Sequence, residues 1–422
     1  MSALPRSARL IAAAATVTAF ASVAAGCAQA PQPAPAPSAT ASPSATASPT
    51  ASPAATPTPS ATATATPTPT PQLLSPLTGL PYDGPGPVLI VKLDNTHNAQ
   101  PHAGLDKADI VFLEEVEYGI TRIAAVFSSH IPKRIGPVRS ARITDVDIVP
   151  MFGKPAFAYS GAQHKMFPVL DSASIHDVSP RFGAEGYSRD SSRYAPYNYF
   201  FDGRVGLERA PKASDSTDIG LQFSDTPPTG GLVAKHATMR WGYASAGFDF
   251  NKGTGLYEVT LNDRHAESEG SDKGQNAATV VIQYVKQSVS PFYDKGGGNT
   301  PHAHVIGEGK AVVMRDGLAY DVTWSRPDAA SPTIYTLPDG SVMPFKPGQS
   351  WIVLLDKKRP ATVKPLTVPP TPTALPADST SAAAPALDST SSGSTSSGST
   401  SSGSTSSGST SVTSTSVAGS TP

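Results

Sequence analysis

Runs of apolar residues between residues 87 and 128 predict three strands. Residues 87–93 form a short apolar run that ends at Asp94-Asn95, which predicts a buried strand with polar groups at its carboxyl edge. Residues 109–116 and 120–128 predict two more strands. Tyr118-Gly119 lies between these two, and a glycine-containing turn there indicates a hairpin.

Helical spacing of apolar residues follows this hairpin. Residues 137–149 are predicted to form a helix, because Pro137 suits the first helical position and apolar residues recur on one face from Val138 onwards. A short strand is predicted at 157–159 and a second helix at 163–170. Strands and helices therefore alternate in the first half, which favours an α/β layer structure.

The second half has a different pattern, with short strands separated by turns rich in glycine and proline. The strands are predicted at 256–261, 278–285, 311–315, 318–324 and 351–355. This pattern is typical of a β-rich, mainly antiparallel domain. Residues 225–231 (DTPPTGG) form a strong linker signal. We therefore predict an α/β domain over 73–225 and a β-rich domain over 231–362.

Composition separates this body from both ends of the chain. Residues 28–72 consist mostly of Ala, Pro, Ser and Thr, and residues 366–422 mostly of Ser, Thr, Ala, Pro and Gly. Such segments cannot bury enough apolar surface to offset the entropy of ordering, so we expect a disordered tether and a disordered tail. The formal net charge of -1 argues against a nucleic-acid partner recruited by bulk charge.

Residues 1–27 have the features of a secretory signal, with basic residues at Arg6 and Arg9, an apolar run and small residues before Cys27. Ala24-Ala25-Gly26-Cys27 looks like a lipobox, in which the cysteine is lipidated and becomes the new N-terminus. Cys27 is the one cysteine of the chain, so it cannot form an internal disulfide, and lipidation accounts for it. We therefore expect an extracytoplasmic protein, lipid-anchored to the cell membrane.

Several motifs in the body resemble one bacterial family. They include residues 76–81 (PLTGLP), 104–110 (GLDKADI), 117–122 (EYGITR), 135–142 (IGPVRSAR) and 347–352 (PGQSWI). In order and spacing they are similar to the N- and C-terminal domains of the YerB-like lipoprotein family, whose domains have no assigned function. The resemblance covers nearly the whole body and neither tail. It implies an exported two-domain lipoprotein and no particular reaction.

Acidic and arginine side chains are concentrated in the predicted α/β domain. Asp94 and Asn95 follow a strand at the edge where α/β sheets place ligand sites. A helix would bring Arg139 and Arg142 to one side, and the free N–H groups at its start favour an anion. Guanidinium pairs bind carboxylate or phosphate. The predicted site for an anionic envelope ligand is Asp94, Asn95, Arg122, Arg139, Ser140 and Arg142.

Two other interpretations of this cluster stay open. Glu114 and Glu117 could pair internally with Arg122 and Arg139, so that the cluster only stabilises the core. A cell-wall hydrolase would instead use Glu114 or Glu117 together with Asp94 as acid and base. The leading interpretation is a non-catalytic binding or scaffolding protein of the envelope, with a wall ligand or a protein as its partner.

Metal and cofactor motifs are weak in this sequence. His302 and His304 alternate, so both rings could share one strand face, but a zinc site needs a third ligand such as His265, which the sequence cannot place beside them. The phosphate-binding and dinucleotide-binding glycine patterns are absent. We therefore expect no metal and no cofactor.

Overall fold

Residues 72–364 are the part of the chain that the computed structural model describes. The predicted signal segment with Cys27, the predicted tether before residue 72 and the predicted tail lie outside the described residues. The strands of the first half are β1 (Leu89–Asp94), β2 (Ile110–Glu115), β3 (Thr121–Phe127), β4 (Ala156–Ala158), β5 (His176–Asp177), β6 (Tyr187–Arg189) and β7 (Tyr199–Phe201).

The second half consists of strands. These are β8 (Leu232–Val233), β9 (His236–Arg240), β10 (Ser245–Asn251), β11 (Leu256–Leu261), β12 (Arg264–His265), β13 (Asn276–Ala277), β14 (Thr279–Tyr293), β15 (Asn299–His304), β16 (Gly307–Arg315), β17 (Leu318–Arg326), β18 (Ile334–Thr336), β19 (Ser350–Asp356) and β20 (Thr362–Lys364).

Helices are few and short. The α-helices are α1 (Ile143–Ile148), α2 (Phe167–Ser172) and α3 (Gly203–Arg209), and single 3-10 turns occur at His97–Ala99, Leu105–Lys107, Glu117–Gly119, Val149–Phe152, His164–Met166 and Pro180–Phe182. Within residues 72–364, no helix has both the length and the apolar character needed to cross a bilayer.

One large sheet contains strands from both halves of the chain. Its order is β18-β17-β16-β14-β19-β2-β3-β1-β4-β5, with β15 also paired to β14 and β8 to β17. β19 lies in the middle and is parallel to both of its neighbours, β2 from the first half and β14 from the second. Strands on both sides of the predicted linker at 225–231 therefore share one hydrogen-bonded sheet.

The two faces of the large sheet pack against different layers. Leu89, Val91 and Leu93 of β1 belong to a core that also contains Ala237 and Phe248 from the second sheet, whose order is β12-β11-β10-β9-β20 with β13 paired to β11. On the other face, the apolar cluster includes residues of α1 and α2. β6 and β7 form a separate two-stranded sheet.

The predicted fold class is confirmed, with a mixed sheet in the first half followed by mainly antiparallel strands. The predicted hairpin at 109–128 is also present as β2 and β3, which are antiparallel from Ile110 to Glu115. Tyr118 in its turn has φ of 60°, a left-handed conformation that is uncommon for a residue other than glycine.

The predicted helix over 137–149 is wrong in its first half. The helix begins only at Ile143, and the residues before it are extended, with the amide of Arg139 donating to the carbonyl of Lys92 at 2.8 Å. Asp94 donates its backbone amide to Pro137 O at 2.9 Å. Pairing with the end of β1 therefore replaces the helical turns that the local spacing predicted.

Trp351→Ala is expected to lower the free energy of unfolding by about 3–5 kcal/mol, because a fully buried aromatic side chain leaves a cavity when it is truncated. Trp351 lies on β19 and packs edge-on against Phe248 of the second sheet, with ring centroids 5.8 Å apart. Urea denaturation measures the loss. Val289→Ala, at an exposed position, is the control and should change stability by less than about 0.5 kcal/mol. Equal effects of the two substitutions would contradict the central role of β19.

Candidate functional site

A cavity of about 860 Å³ opens beside the carboxyl end of β1. Its lining includes Arg122, Arg139, Ser140 and Arg142 from the predicted ligand site, together with Glu117. Asp94, Asn95 and Glu114 do not line this cavity. Four of the six predicted binding residues therefore meet at one concave surface, and the other two lie elsewhere.

Strand register explains why charged side chains meet at this point. Asp94 of β1 and Glu114 of β2 are both opposite Arg122 of β3. Side chains alternate between the two faces of a strand, so Lys92 and Asp94 lie on the same face as Ile90, which packs in the cluster containing α1 and α2. The charged end of this face is covered by residues 137–142 and by α1.

Asp94 is buried and closely paired. Arg139 Nε donates to Asp94 Oδ2 at 2.6 Å, and Thr96 donates to Oδ1 through its amide at 2.7 Å and its hydroxyl at 2.6 Å. Burial acts to raise the pKa of Asp94, but the charges of Arg122 and Arg139 and the Thr96 hydrogen bonds outweigh it and hold the pKa below its usual value. Asp94 is therefore an ionised group that positions Arg139.

Glu117 is also buried and has its own arginine. Arg142 contacts it twice, with Nε 2.6 Å from Oε1 and Nη2 donating to Oε2 at 2.8 Å, and Thr300 donates its hydroxyl to Oε1. Burial acts to raise the pKa of Glu117, but the hydrogen bonds and charge of Arg142 bring it below its usual value. This ion pair connects the β2–β3 turn to the start of α1.

Arg122 lies between these two pairs and has no carboxylate of its own. Its Nη1 donates to the carbonyl of Ser140 at 3.0 Å, and its buried Nε has no hydrogen-bond partner among residues 72–364. Burial, followed by repulsion from Arg142, lowers the pKa of Arg122 to about 9. Three guanidinium groups thus share two carboxylates, so one positive charge is left over.

A second charged cluster lies deeper under α1. Lys92 Nζ donates to Glu114 Oε1 and, at 2.6 Å, to Asp145 Oδ1, and all three side chains are essentially fully buried. The other oxygen of Asp145 accepts the backbone N–H of Arg142 at 2.7 Å. Burial raises the pKa of Glu114 to about 7 against the opposing charge of Lys92. This cluster joins α1 to the sheet.

The internal pairs differ from those predicted. Glu114 pairs with Lys92 and Glu117 pairs with Arg142, whereas the sequence suggested Arg122 and Arg139 as partners of the two glutamates. The expected shared helix face of Arg139 and Arg142 is also wrong, because both residues precede α1. A six-residue helix with Arg142 at its cap has no free N-terminus for an anion.

The cavity also contains residues that the sequence did not indicate. Arg189 and Lys295 add positive charge to the lining and Asp294 adds one negative charge. The lining therefore has five basic residues (Arg122, Arg139, Arg142, Arg189 and Lys295) and two acidic residues (Glu117 and Asp294). Tyr199 and Phe292 supply aromatic surface. These residues come from separate segments of the chain, so no motif in the sequence could connect them.

Histidines take no part in a metal cluster. His302 Nε2 lies 2.6 Å from Asp147 Oδ2, and the rings of His302 and His304 are 4.5 Å apart, which places them on one strand face as their spacing suggested. Within the described residues, no group of three or more His, Cys, Asp or Glu is arranged to hold a metal ion.

Comparisons with known proteins agree with this architecture. The family description "Protein of unknown function (DUF3048) N-terminal domain" matches residues 77–216, and the corresponding C-terminal domain matches residues 237–352. The chain is 26% identical over 302 residues to the "Putative lipoprotein YerB" of Bacillus subtilis strain 168, covering 67% of this chain and 86% of the relative.

A crystal structure of the Bacillus subtilis YerB protein has the same fold. The TM-score is 0.59 at 21% sequence identity, and the match covers 69% of this chain and all of that structure. The fold and the matched domains define a class of bacterial proteins with paired N- and C-terminal domains of unassigned activity. The chain belongs to the DUF3048 family, as the resemblance to YerB-like proteins predicted.

The raised pKa of Glu114 predicts a pH-dependent stability. An acid whose pKa is higher in the folded state contributes stability below its unfolded pKa, and that contribution is lost as the pH rises through the folded pKa. The free energy of unfolding should therefore fall by about 1 kcal/mol or more between about pH 4.5 and pH 7, relative to Glu114→Gln. Urea denaturation at stepped pH measures the difference. If the free energies of unfolding of the parent and of Glu114→Gln change equally with pH, Glu114 keeps an ordinary pKa.

Proposed function

We propose that this protein is a membrane-anchored envelope lipoprotein whose large cavity binds an anionic ligand. The ligand class is a phosphate- or carboxylate-bearing component of the envelope, such as a wall fragment. The single observation that carries the proposal is that buried Arg122, which has no ion pair among residues 72–364, lines a cavity with five basic and two acidic lining residues.

The energetics of Arg122 support an incoming anion. A buried charge is stable when it is paired and hydrogen-bonded, and an unpaired one costs several kcal/mol of desolvation. Arg122 has only a backbone carbonyl as a protein acceptor, and its neighbours Arg139 and Arg142 repel it. A ligand phosphate or carboxylate would neutralise the surplus charge and accept from the free Nε.

The positions of the other two arginines support the same role. Asp94 and Glu117 hold Arg139 and Arg142 in place, which reduces the entropy lost when a ligand is bound. The Arg139 side chain remains 29% exposed, so part of its guanidinium is accessible from the cavity. Preorganised guanidinium groups of this kind favour a planar or tetrahedral oxyanion.

The hydrolase alternative receives less support. Glu114 is fully buried against Lys92, and Asp94 is covered by Arg139, so neither lines the cavity. Glu117 does line it, but Arg142 engages both of its oxygens. A general acid and base need access to the substrate, which these paired carboxylates have only after their arginines move.

Anchoring is proposed from the lipobox at Cys27 together with the name of the Bacillus relative as a lipoprotein. The basic start, apolar run and small residues before Cys27 form the export signal. The proline-rich segment that follows would then hold the folded body away from the bilayer.

Arg122→Met is expected to abolish anion binding without unfolding the protein. The substitution removes a costly buried charge and also the attraction of that charge to Asp94, and because these two effects oppose each other the free energy of unfolding should change by less than about 1 kcal/mol. Arg142→Met leaves Glu117 buried without its partner and should cost about 3–5 kcal/mol. Inorganic phosphate at about 100 times its Kd should stabilise the parent by about 2.7 kcal/mol and Arg122→Met hardly at all. Thermal and urea denaturation measure both effects.

Arg204→Met is the matched control, because Arg204 is half-exposed and does not line the cavity. It should keep the full response to phosphate. Glycerol phosphate and a sugar carboxylate are tested beside phosphate to separate the two anion types. If no anion stabilises the parent and Arg122→Met unfolds it, the cluster is purely structural and the binding proposal is wrong.

Cys27→Ala is expected to prevent lipid attachment in the full chain. The chain has no other cysteine, so incorporation of labelled fatty acid during expression in a bacterial host should fall to background. Ser22→Ala, five residues earlier, is the control and should retain the label. Labelling of Cys27→Ala equal to that of the parent would refute the lipid anchor.

A further inference from the structure

A second, smaller cavity of about 350 Å³ lies apart from the arginine cavity. Asn95 and Thr96 line it from the end of β1, and the turn between β9 and β10 contributes Trp241 to Ser245. Asn262 and Asp263 contribute from the turn after β11. Of these side chains, only Thr96 is connected to the arginine cavity, through its hydrogen bond to Asp94, so the second cavity needs its own explanation.

Two buried polar atoms at this cavity lack partners. Asn95 is 1% exposed and its Oδ1 accepts no hydrogen bond within residues 72–364, although its Nδ2 donates to Thr121 Oγ1 at 2.8 Å. Trp241 is 6% exposed, and its indole N–H likewise has no acceptor in that part of the chain. Exchanging the amide atoms of Asn95 leaves one of them unpaired in either orientation. Buried polar groups are nearly always satisfied, so a ligand with both donors and acceptors fits here.

The other two tryptophans show that an indole N–H without an acceptor is specific to Trp241. Trp324 donates its indole N–H to Tyr284 O at 3.0 Å, and Trp351 donates to Gln349 Oε1 at 2.8 Å. Both are buried in the core. Of the three tryptophans in the chain, only Trp241 has a free indole N–H beside a cavity.

The charges around the cavity cancel. Arg240 pairs with Asp263 at 3.0 Å, and Asp263 also accepts from Ser245 Oγ at 3.0 Å. His97 Nε2 accepts from Arg264 Nη1 at 3.1 Å and thus has a partner outside the cavity. Unlike the arginine cavity, this one has no surplus charge that would attract an ion.

An exposed aromatic ring stands at the same cavity. Tyr243 is 81% exposed, the most exposed large hydrophobic side chain of the described residues. Its backbone is held by the hydrogen bond from Tyr243 N to Gly119 O at 2.9 Å. Such a ring, on a fixed turn, offers its face to an apolar surface and its hydroxyl to water or ligand.

We propose that this second cavity binds a neutral, hydroxyl-rich ligand, namely a sugar unit of a glycan. Its hydroxyl groups donate to Asn95 Oδ1 and accept from the Trp241 indole N–H, since a hydroxyl can do both. The ring of Tyr243 covers the apolar face of the sugar. This inference does not depend on the anionic site, because the two cavities share no lining residue.

The test follows the three indole N–H resonances of the full chain by NMR, with tryptophan labelled with nitrogen-15. Neutral trisaccharides, maltotriose and chitotriose, are titrated to millimolar concentrations. At least one should move the Trp241 resonance saturably and leave those of Trp324 and Trp351 in place. Trp241→Phe assigns the resonance by removing it. Tyr243→Ala should weaken the binding about tenfold.

Tyr194→Ala is the matched control, because Tyr194 is also a highly exposed tyrosine and does not line this cavity. It should bind the sugar like the parent. Inorganic phosphate and neutral trialanine are the competing probes. The proposal is overturned if no sugar moves the Trp241 resonance, if trialanine moves it and the sugars do not, or if Tyr243→Ala leaves the affinity unchanged. A response to phosphate through Arg122 tests the arginine cavity separately.

Discussion

The parallel pairing of β19 with β2 on one side and β14 on the other is the interaction on which the rest of the structure depends. Residues near the end of the described chain thereby become a central strand between elements of the first and second halves. Such pairing is non-local and closes a long loop of chain. The backbone hydrogen bonds of β19 and the burial of Trp351 and Val353 offset the conformational entropy that is lost in closing this loop. Two sequence regions therefore form one sheet.

The same sheet determines where charge can be buried. At the end of β1, the strands present Lys92 and Asp94 on one face, beside Glu114 of β2 and Arg122 of β3. Burial of so many charged groups is tolerated only because nearly all are paired. Arg122 has no ion pair of its own and lines the cavity, whereas Lys92 is shared by two carboxylates in the closed core.

The most informative error concerns residues 137–142. Local spacing and a well-placed proline favour a helix there, but the backbone of this segment pairs with the end of β1 instead. Those hydrogen bonds and the ion pair of Arg139 with Asp94 stabilise the extended conformation more than helix propensity can, since propensity differences are below about 1 kcal/mol per residue for ordinary residues. The arginines reach the cavity all the same, from an extended segment that lies across the sheet.

The sequence by itself determined the local elements and the class of the fold. Short apolar runs and glycine turns are sufficient for the β2–β3 hairpin and the antiparallel strands β16 and β17, because neighbouring strands and their turn lie within one short segment. It also indicated five of the residues at the arginine cavity, namely the four predicted binding residues and Glu117, since charged residues and polar strand ends are visible in any sequence. Only the tertiary structure decided which charges pair, that Arg122 is left over, and that Asn95 and Trp241 share a second cavity. The charge pairs join residues that lie 22 to 53 positions apart, and Asn95 and Trp241 are separated by more than a hundred positions, so no local pattern encodes these contacts.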